Sequence, residues 1–484
     1  MDGHDPDLEL PIKLEPCSNG EFLPRPLTPV EAETIRRTRD AADDAARRLG
    51  VSRRRFLRSV AGAALMLGIL DTTNRDAAAA APGGRFRLPP DAGRDLDAAR
   101  SALGGDEFIL DVQAHYLNYD LAEPGGLGLG ALFPQQSCGE DDPRACFSVD
   151  HFIEEMFLKS DTSMVVMSAL PIPGDANPLS IDDMELVKKT MTELCGRGRV
   201  LLHGGVLPSV GDPQAALDGM RELRDEHKIG AWKVYTHVGG EPWWLDDHEA
   251  GVPQVGTAFL EQVREVGPKR VCVHKGFGAI SPSNHEYASP IDIGPAAAAN
   301  PDIDFIVYHS GYEIGEPEGP YTEDTADVGV NRLITSARNA DIGKGGNVYA
   351  ELGSTWRGVM SNPTEAAHVL GKLLAQFGPN NVVWGTDSIW YGSPQDQIQA
   401  FRSFEITPEF QEQYGYPELT PKTKAKILGT NSARLYDVKP KREQCEFTTE
   451  ELEEVRQVLP TGMRTYGPTT ATQVRALVEA HGIV

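Results

Sequence analysis

The chain has 484 residues, 40% of them hydrophobic and 24% charged, which is ordinary for a globular protein. It carries 46 basic against 71 acidic residues, a formal net charge of −25. Phosphate backbones and anionic membrane surfaces are bound by clustered Lys and Arg, so this balance disfavours both, and it says nothing positive about the substrate. Length alone allows several domains or one large barrel. The six cysteines, at 17, 138, 146, 195, 272 and 445, contain no Cys-x-x-Cys pair, so no zinc ribbon or thioredoxin-like motif is supported. Cys138 and Cys146 share a presumed loop, where a disulfide formed after export and two isolated thiols are equally good readings.

From the N-terminus, Val30 to Leu49 is charged, rich in Ala and Arg, and reads as a helix. Ser52-Arg53-Arg54-Arg55-Phe56-Leu57-Arg58 follows, and then an apolar run from Val60 to Leu70. That run is too short to span a bilayer, which takes roughly 20 residues. It fits the apolar core of a signal peptide, about 7–15 residues long. Ala77 to Ala81, ahead of Pro82, is a small-residue stretch suited to cleavage near Ala81. The Ser52–Arg58 stretch resembles the twin-arginine signal of exported bacterial proteins, with Arg58 in place of the usual terminal Lys. The resemblance implies passage of the folded chain through the twin-arginine machinery, to the periplasm or the medium. The alternative is a basic amphipathic helix that is never cleaved, in a protein that stays in the cytoplasm. On this reading residues 1–105 are an extension to be left out of the fold, with the signal at about 52–82 and no stable membrane span.

Beyond it, short apolar runs alternate with helix-like stretches. The runs are Phe108–Leu117, Met164–Leu170, Val200–Leu207, Ala231–His237, Val271–Phe277, Phe305–Ser310, Val348–Gly353 and Val382–Asp387. Their near-continuous apolar character suits parallel strands covered on both faces. Apolar positions recur at helical spacing in Met184–Cys195, Pro213–His227, Val255–Val266, Asn331–Asn339 and Thr364–Phe377. Eight such units predict an α/β fold, a (β/α)8 TIM-type barrel over residues 106–438. An open doubly wound sheet is the runner-up, but no Gly-x-Gly-x-x-Gly stands at a strand end. Gly204-Gly205 and Gly239-Gly240 read as loop hinges after strands. The polar remainder, 439–484, is expected to be a helical tail, with helices at Thr448–Leu459 and Thr472–Ala480.

In such a barrel the active site lies at the C-terminal ends of the strands. The first strand offers Asp111-Val112-Gln113-Ala114-His115, and alternation puts 111, 113 and 115 on one face. The fifth ends at His274, the sixth at His309 and the eighth at Asp387. A lone histidine there is ordinarily a satisfied buried side chain. Three His and one Asp at four strand ends point instead to a metal, since a catalytic zinc needs about three or four such ligands and an open position.

These positions, with Trp384-Gly385-Thr386-Asp387 and the closing stretch from Lys426 to Tyr436, resemble the amidohydrolase-related branch of the amidohydrolase superfamily, which includes aminocarboxymuconate semialdehyde decarboxylase. The resemblance covers roughly Phe108 to Tyr436. It implies that His115, His274 and Asp387 hold one divalent metal, zinc first and manganese or iron next. Gln113, where the family has a histidine, would be a fourth and weaker ligand. It further implies that His309 orients a metal-activated water or shuttles its proton, that Asp387 also serves as general base, and that the water attacks an amide, ester or lactone of a small-molecule substrate. The branch also contains decarboxylases, and loss of the first histidine leaves open a barrel that binds a small ligand without turnover.

Lys233 and His237 on the fourth strand and Trp390 in the last loop are candidate substrate contacts. His203, Glu351, Trp243, Trp244 and Trp356 are weaker ones. His151, His227, His248, His285 and His368 are expected in solvent. Specificity is expected in the long loops Leu121–Arg144, Gly278–Pro295 and Glu313–Asp327. A homo-oligomer stays open.

Overall fold

All eight apolar runs become strands in the computed structural model, which describes residues 10–78, 81–118, 146–174, 177–195, 198–278 and 283–440. A short strand β1 (Gly84–Phe86) precedes them. The eight are β2 (Leu110–Ala114), β3 (Met164–Met167), β4 (Val200–Gly205), β5 (Ala231–Tyr235), β6 (Arg270–His274), β7 (Asp304–Tyr308), β8 (Val348–Glu351) and β9 (Val382–Val383). Each pairs in parallel with the next, in sequence order. The ends meet: Val112 N donates to Trp384 O at 3.0 Å, Asp387 N to Gln113 O at 2.9 Å and His115 N to Ser388 O at 2.7 Å. An order without reversal and with both edges joined is a (β/α)8 barrel and excludes the doubly wound sheet.

The helices between the strands form where the apolar spacing predicts. Pro213–His227 starts behind Asp212, whose carboxylate accepts from Gln214 N, with Pro213 in the first turn where its missing N–H costs nothing. Asn331–Asn339 forms as expected, and Ile181–Cys195 begins three residues before its predicted start. Gly204 and Gly205 are not hinges, because both lie inside β4. A Cβ on Gly204 would come within 2.6 Å of Ile229 and one on Gly205 within 2.8 Å of Ala169, so close packing is what demands glycine there. Gly239 and Gly240, at φ 78° and 147°, do turn a loop.

From Leu10 onward the segment ahead of residue 105 packs on the barrel. Helix Pro29–Arg48 opens with a Thr28–Glu31 capping box. Helix Arg53–Leu57 buries Phe56 and Leu57, and helix Val60–Ala77 buries Met66, Leu67 and Leu70, all in the main core cluster. Among the described residues no helix is long and apolar enough to cross a membrane. β1 pairs antiparallel with β10 (Phe404–Ile406), which ties the extension to the far end of the barrel sequence. Cys146 and Cys195 are disulfide-bonded, while Cys17 and Cys272 are buried thiols. Cys138, the loop Leu121–Arg144 and both predicted tail helices fall outside the described residues.

Candidate metal centre

The mouth of the barrel gathers the predicted strand-end groups. His274 is the last residue of β6, His309 follows β7, Gln113 lies in β2 with His115 just beyond it, and Asp387 follows β9; all five are buried. The chain turns sharply here. Phe277, His309, Ser310, Ser354 and Asp387 have φ of 50°, 64°, 54°, 53° and 59°. A left-handed backbone costs a non-glycine residue roughly 1–2 kcal/mol, so a cluster of five marks a place where side-chain direction is enforced.

Glu351 holds one of these turns, accepting His309 N at 3.0 Å and Gly353 N at 2.6 Å. Gly385 is needed beneath it, since a Cβ there would lie 1.6 Å from Glu351 Oε1. His309 Nδ1 stands 2.7 Å from Gly353 O and His274 Nε2 stands 3.0 Å from Gly276 O. A carbonyl only accepts, so those nitrogens carry the protons. The other nitrogen of each ring, Nε2 of His309 and Nδ1 of His274, is left with its lone pair.

Both lone pairs meet a carboxylate that strand-end reasoning missed. Glu21 Oε1 is 3.3 Å from His274 Nδ1 and Oε2 is 3.7 Å from His309 Nε2. The closer approach is not aligned as a hydrogen bond, and His274 Nδ1 has no hydrogen-bond partner among the described residues. One ligand atom from each of Glu21, His274 and His309 lies within 4.8 Å of the other two. Two imidazole lone pairs and a carboxylate at this separation fit a divalent cation of the zinc or manganese kind.

Gln113 and His115, expected with His274 and Asp387 to hold the metal, both come to Asp387. Gln113 Nε2 donates to Asp387 Oδ1 at 3.0 Å and lies 3.3 Å from His309 Nε2, while its Oε1 has no partner. One amide hydrogen thus goes to Asp387 and the other points at the His309 Nε2 lone pair, a place that a bound cation would take. His115 Nε2 lies 3.2 Å from Asp387 Oδ1, its ring stacked on Trp390. Asp387 Oδ2 accepts from Asn19 at 2.6 Å and from Ser354 at 2.7 Å, and Ser354 also meets the Tyr391 hydroxyl.

Burial alone would push Asp387 up. The hydrogen bond from His115, the neighbouring imidazoles and Ser354 outweigh it and hold the carboxyl below its ordinary range. Burial keeps His274 well below the usual histidine value and lowers His309 to about 4, so both rings stay neutral. Burial, with Asp387 nearby, pushes Glu21 up to about 8. Because 27% of its side chain is exposed, water screens part of that push.

Lys233 is buried in β5, its ammonium 4.1 and 4.2 Å from the Tyr235 and Tyr308 rings and without a hydrogen-bond partner among the described residues. Burial lowers it to about 8, against the pull of Glu21. His237 lies with its ring 4.8 Å from His274 and its Nδ1 unpaired, and burial lowers it to about 3. Three of the weaker candidates make contacts within the scaffold. His203 meets Tyr436 at 3.1 Å, Trp356 packs edge-on against Phe401, and Trp243 donates to Tyr235 O. His151 and His368 are buried rather than solvated, the latter 2.9 Å from the Tyr416 hydroxyl. Asn19 and Glu21 had no local signal, being two polar residues in an unpatterned segment far from any strand.

Several solved structures resemble the chain in fold. They include 5-carboxyvanillate decarboxylase from Sphingomonas paucimobilis, at 12% identity and TM-score 0.41, covering 69% of this chain and 99% of that one. A candidate 2-pyrone-4,6-dicarboxylic acid hydrolase from Pseudomonas putida matches at 17% and 0.38, covering 68% and 97%. The 5-carboxyvanillate decarboxylase of Novosphingobium aromaticivorans, complexed with manganese, matches at 12% and 0.39, covering 69% and 96%. At that identity and TM-score the likeness says nothing of this chain's substrate. No curated protein matches the sequence. The amidohydrolase family model matches residues 185–438, more than half of the sequence and the barrel from the helix before β4 onward. The chain belongs to the amidohydrolase family.

Proposed function

We propose that this protein is a metal-dependent hydrolase that cleaves an amide, ester or lactone of a small molecule at the barrel mouth. The observation that carries the reading is the convergence of the His274 and His309 lone pairs beside the His115–Asp387 pair. His274 and His309 would hold a divalent cation, zinc or manganese by ligand type. When bound, such a metal supplies Lewis acidity and brings the pKa of water from 15.7 toward about 7. Asp387, kept ionised by its hydrogen bonds, takes the proton from the water that attacks the carbonyl and passes it to the leaving group. His115 and Ser354 fix the two oxygens of that carboxylate. The Lys233 ammonium, without a hydrogen-bond partner inside the barrel, suits an acidic group on the substrate, with Trp390 and His237 as further walls.

The same ammonium favours a second reading, a decarboxylase of the family, in which Lys233 faces the carboxylate that leaves as CO2. The two differ in product. The test is metal analysis of the full-length protein and of His274→Ala, followed by a panel of lactones, amides and carboxylic acids assayed for hydrolysis and for CO2. The wild type should carry about one equivalent of metal, lost in His274→Ala. Absence of metal after incubation with zinc and manganese would sink the enzyme reading in favour of a barrel that binds without turnover.

The Ser52–Arg58 motif and the disulfide-bonded cysteines support export by the twin-arginine route. Packing of Val60–Ala77 in the core supports retention of that helix in the exported protein. N-terminal sequencing of the secreted or periplasmic fraction tests both points; a cytoplasmic protein would refute the first.

A further inference from the structure

The segment from Leu10 to Phe22 runs across the barrel mouth and is fastened at several points. Lys13 Nζ reaches Asp396 Oδ1 at 2.7 Å and Ser393 O at 2.6 Å, and its backbone N reaches Asp396 Oδ2 at 3.0 Å; both side chains of this ion pair are buried. Arg357 donates to Glu15 O at 3.1 Å, Cys17 Sγ lies 3.3 Å from Trp390 O, and Phe22 packs 5.1 Å from Phe277. Between these anchors the chain makes a tight turn. Ser18 Oγ accepts from Gly20 N and donates to Phe22 O, Asn19 Oδ1 accepts from Glu21 N, and Gly20 takes φ 98°. The turn presents one carboxylate, that of Glu21, to the two imidazoles that carry lone pairs.

Among the described residues no third His, Cys, Asp or Glu of the barrel joins His274 and His309 within 4.8 Å. The first barrel strand brings Gln113, which turns amide hydrogens toward Asp387 and His309. Asp387 is occupied by His115, Gln113, Asn19 and Ser354. His274 Nδ1 remains buried and without a hydrogen-bond partner, aimed at Glu21. Two neutral nitrogens and one carboxylate oxygen are a divalent-metal set, with room for water.

We propose that Glu21, delivered by the N-terminal strap, is the anionic ligand of the metal held by His274 and His309, so that the metal fastens the strap across the barrel mouth. The inference rests on the metal-site reading above and extends it to a segment outside the barrel. It makes strap and metal reciprocal: each holds the other in place. Loss of residues 1–82 would remove a ligand together with the signal-like segment.

The test uses the full-length chain, stripped with a chelator and titrated with zinc and with cobalt, for the wild type, Glu21→Gln and His274→Ala. Metal affinity is read by chelator competition, ligand field by the cobalt visible spectrum, and strap docking by proteolysis within residues 10–22. Glu21→Gln preserves the shape of the side chain, and a circular dichroism melt without metal verifies its fold. The expected result is an affinity at least about tenfold weaker in Glu21→Gln, the scale on which removal of even an outer partner of a ligand acts. The cobalt spectrum should change, and metal should protect the strap in the wild type alone. If His274→Ala loses metal while Glu21→Gln binds and protects as the wild type does, the strap is not part of the site and the inference falls while the metal reading stands. If the wild type itself binds no metal, both fall.

Discussion

Asp387 illustrates how much one residue's position settles. The sequence marks it as an acidic group closing an apolar run, and the structure surrounds it with four side-chain donors that keep it ionised. Asp387→Asn should lower kcat by about 10²–10⁴-fold, the usual worth of a positioned general base, with metal content unchanged. Steady-state kinetics beside metal analysis checks this. Lys233→Met should raise KM for an acidic substrate. Removing a buried cation that has no hydrogen-bond partner should also raise the melting temperature of the substrate-free protein.

Glu365, in the first turn of helix Pro363–Phe377, carries a pH signature. Burial and the nearby Glu318 raise it from 4.5 to about 7 against the pull of Arg25. Between those values the folded state holds a proton that the unfolded chain has lost. This contribution is therefore fully present at acid pH and is lost as pH rises toward and past the folded value. Glu365→Gln should raise the melting temperature more at about pH 8 than at about pH 5, and an equal effect at both would refute it. None of this could be read from sequence, because a single Glu in a helical stretch carries no mark of its burial.

Elements were the most legible scale. Strands covered on both faces read as continuous apolar runs, and helices between them show the wider period, so all eight βα units were visible. Their ends were set by tertiary contacts. β9 keeps two residues of strand because Trp384, Asp387 and Ser388 turn their hydrogen bonds to β2 to close the barrel. Helix Val60–Ala77 illustrates the opposite limit: eleven apolar residues serve equally as a signal core or as a helix that packs, and period alone does not separate the two. Leu67 is fully buried in it. In the purified full-length protein Leu67→Ala should cost about 2–5 kcal/mol in denaturant unfolding, as for any packed leucine. A change near zero would mean that the helix does not dock on the barrel.

At the scale of the molecule, the extension and the barrel form one body joined by the β1–β10 pair, the packed helices and the Lys13–Asp396 ion pair. Cys146 and Cys195 add covalent ties, and reduction should lower stability by about 2–4 kcal/mol per bond, seen as a drop in melting temperature under dithiothreitol. An unchanged melting curve would show that those bonds do not bear on folding. The sequence by itself determined the barrel, its strand order and the presence of His115, His274, His309 and Asp387 at strand ends, because periodicity and alternation are local and survive without the fold. Only the tertiary structure decided which nitrogen of each histidine faces the site and that Gln113 turns amide hydrogens inward. It also decided that Asn19 meets Asp387 from 368 positions away, with Glu21 beside it. Those outcomes depend on which carbonyls and which distant segment the packed chain brings within reach, and no local pattern encodes a meeting of that kind.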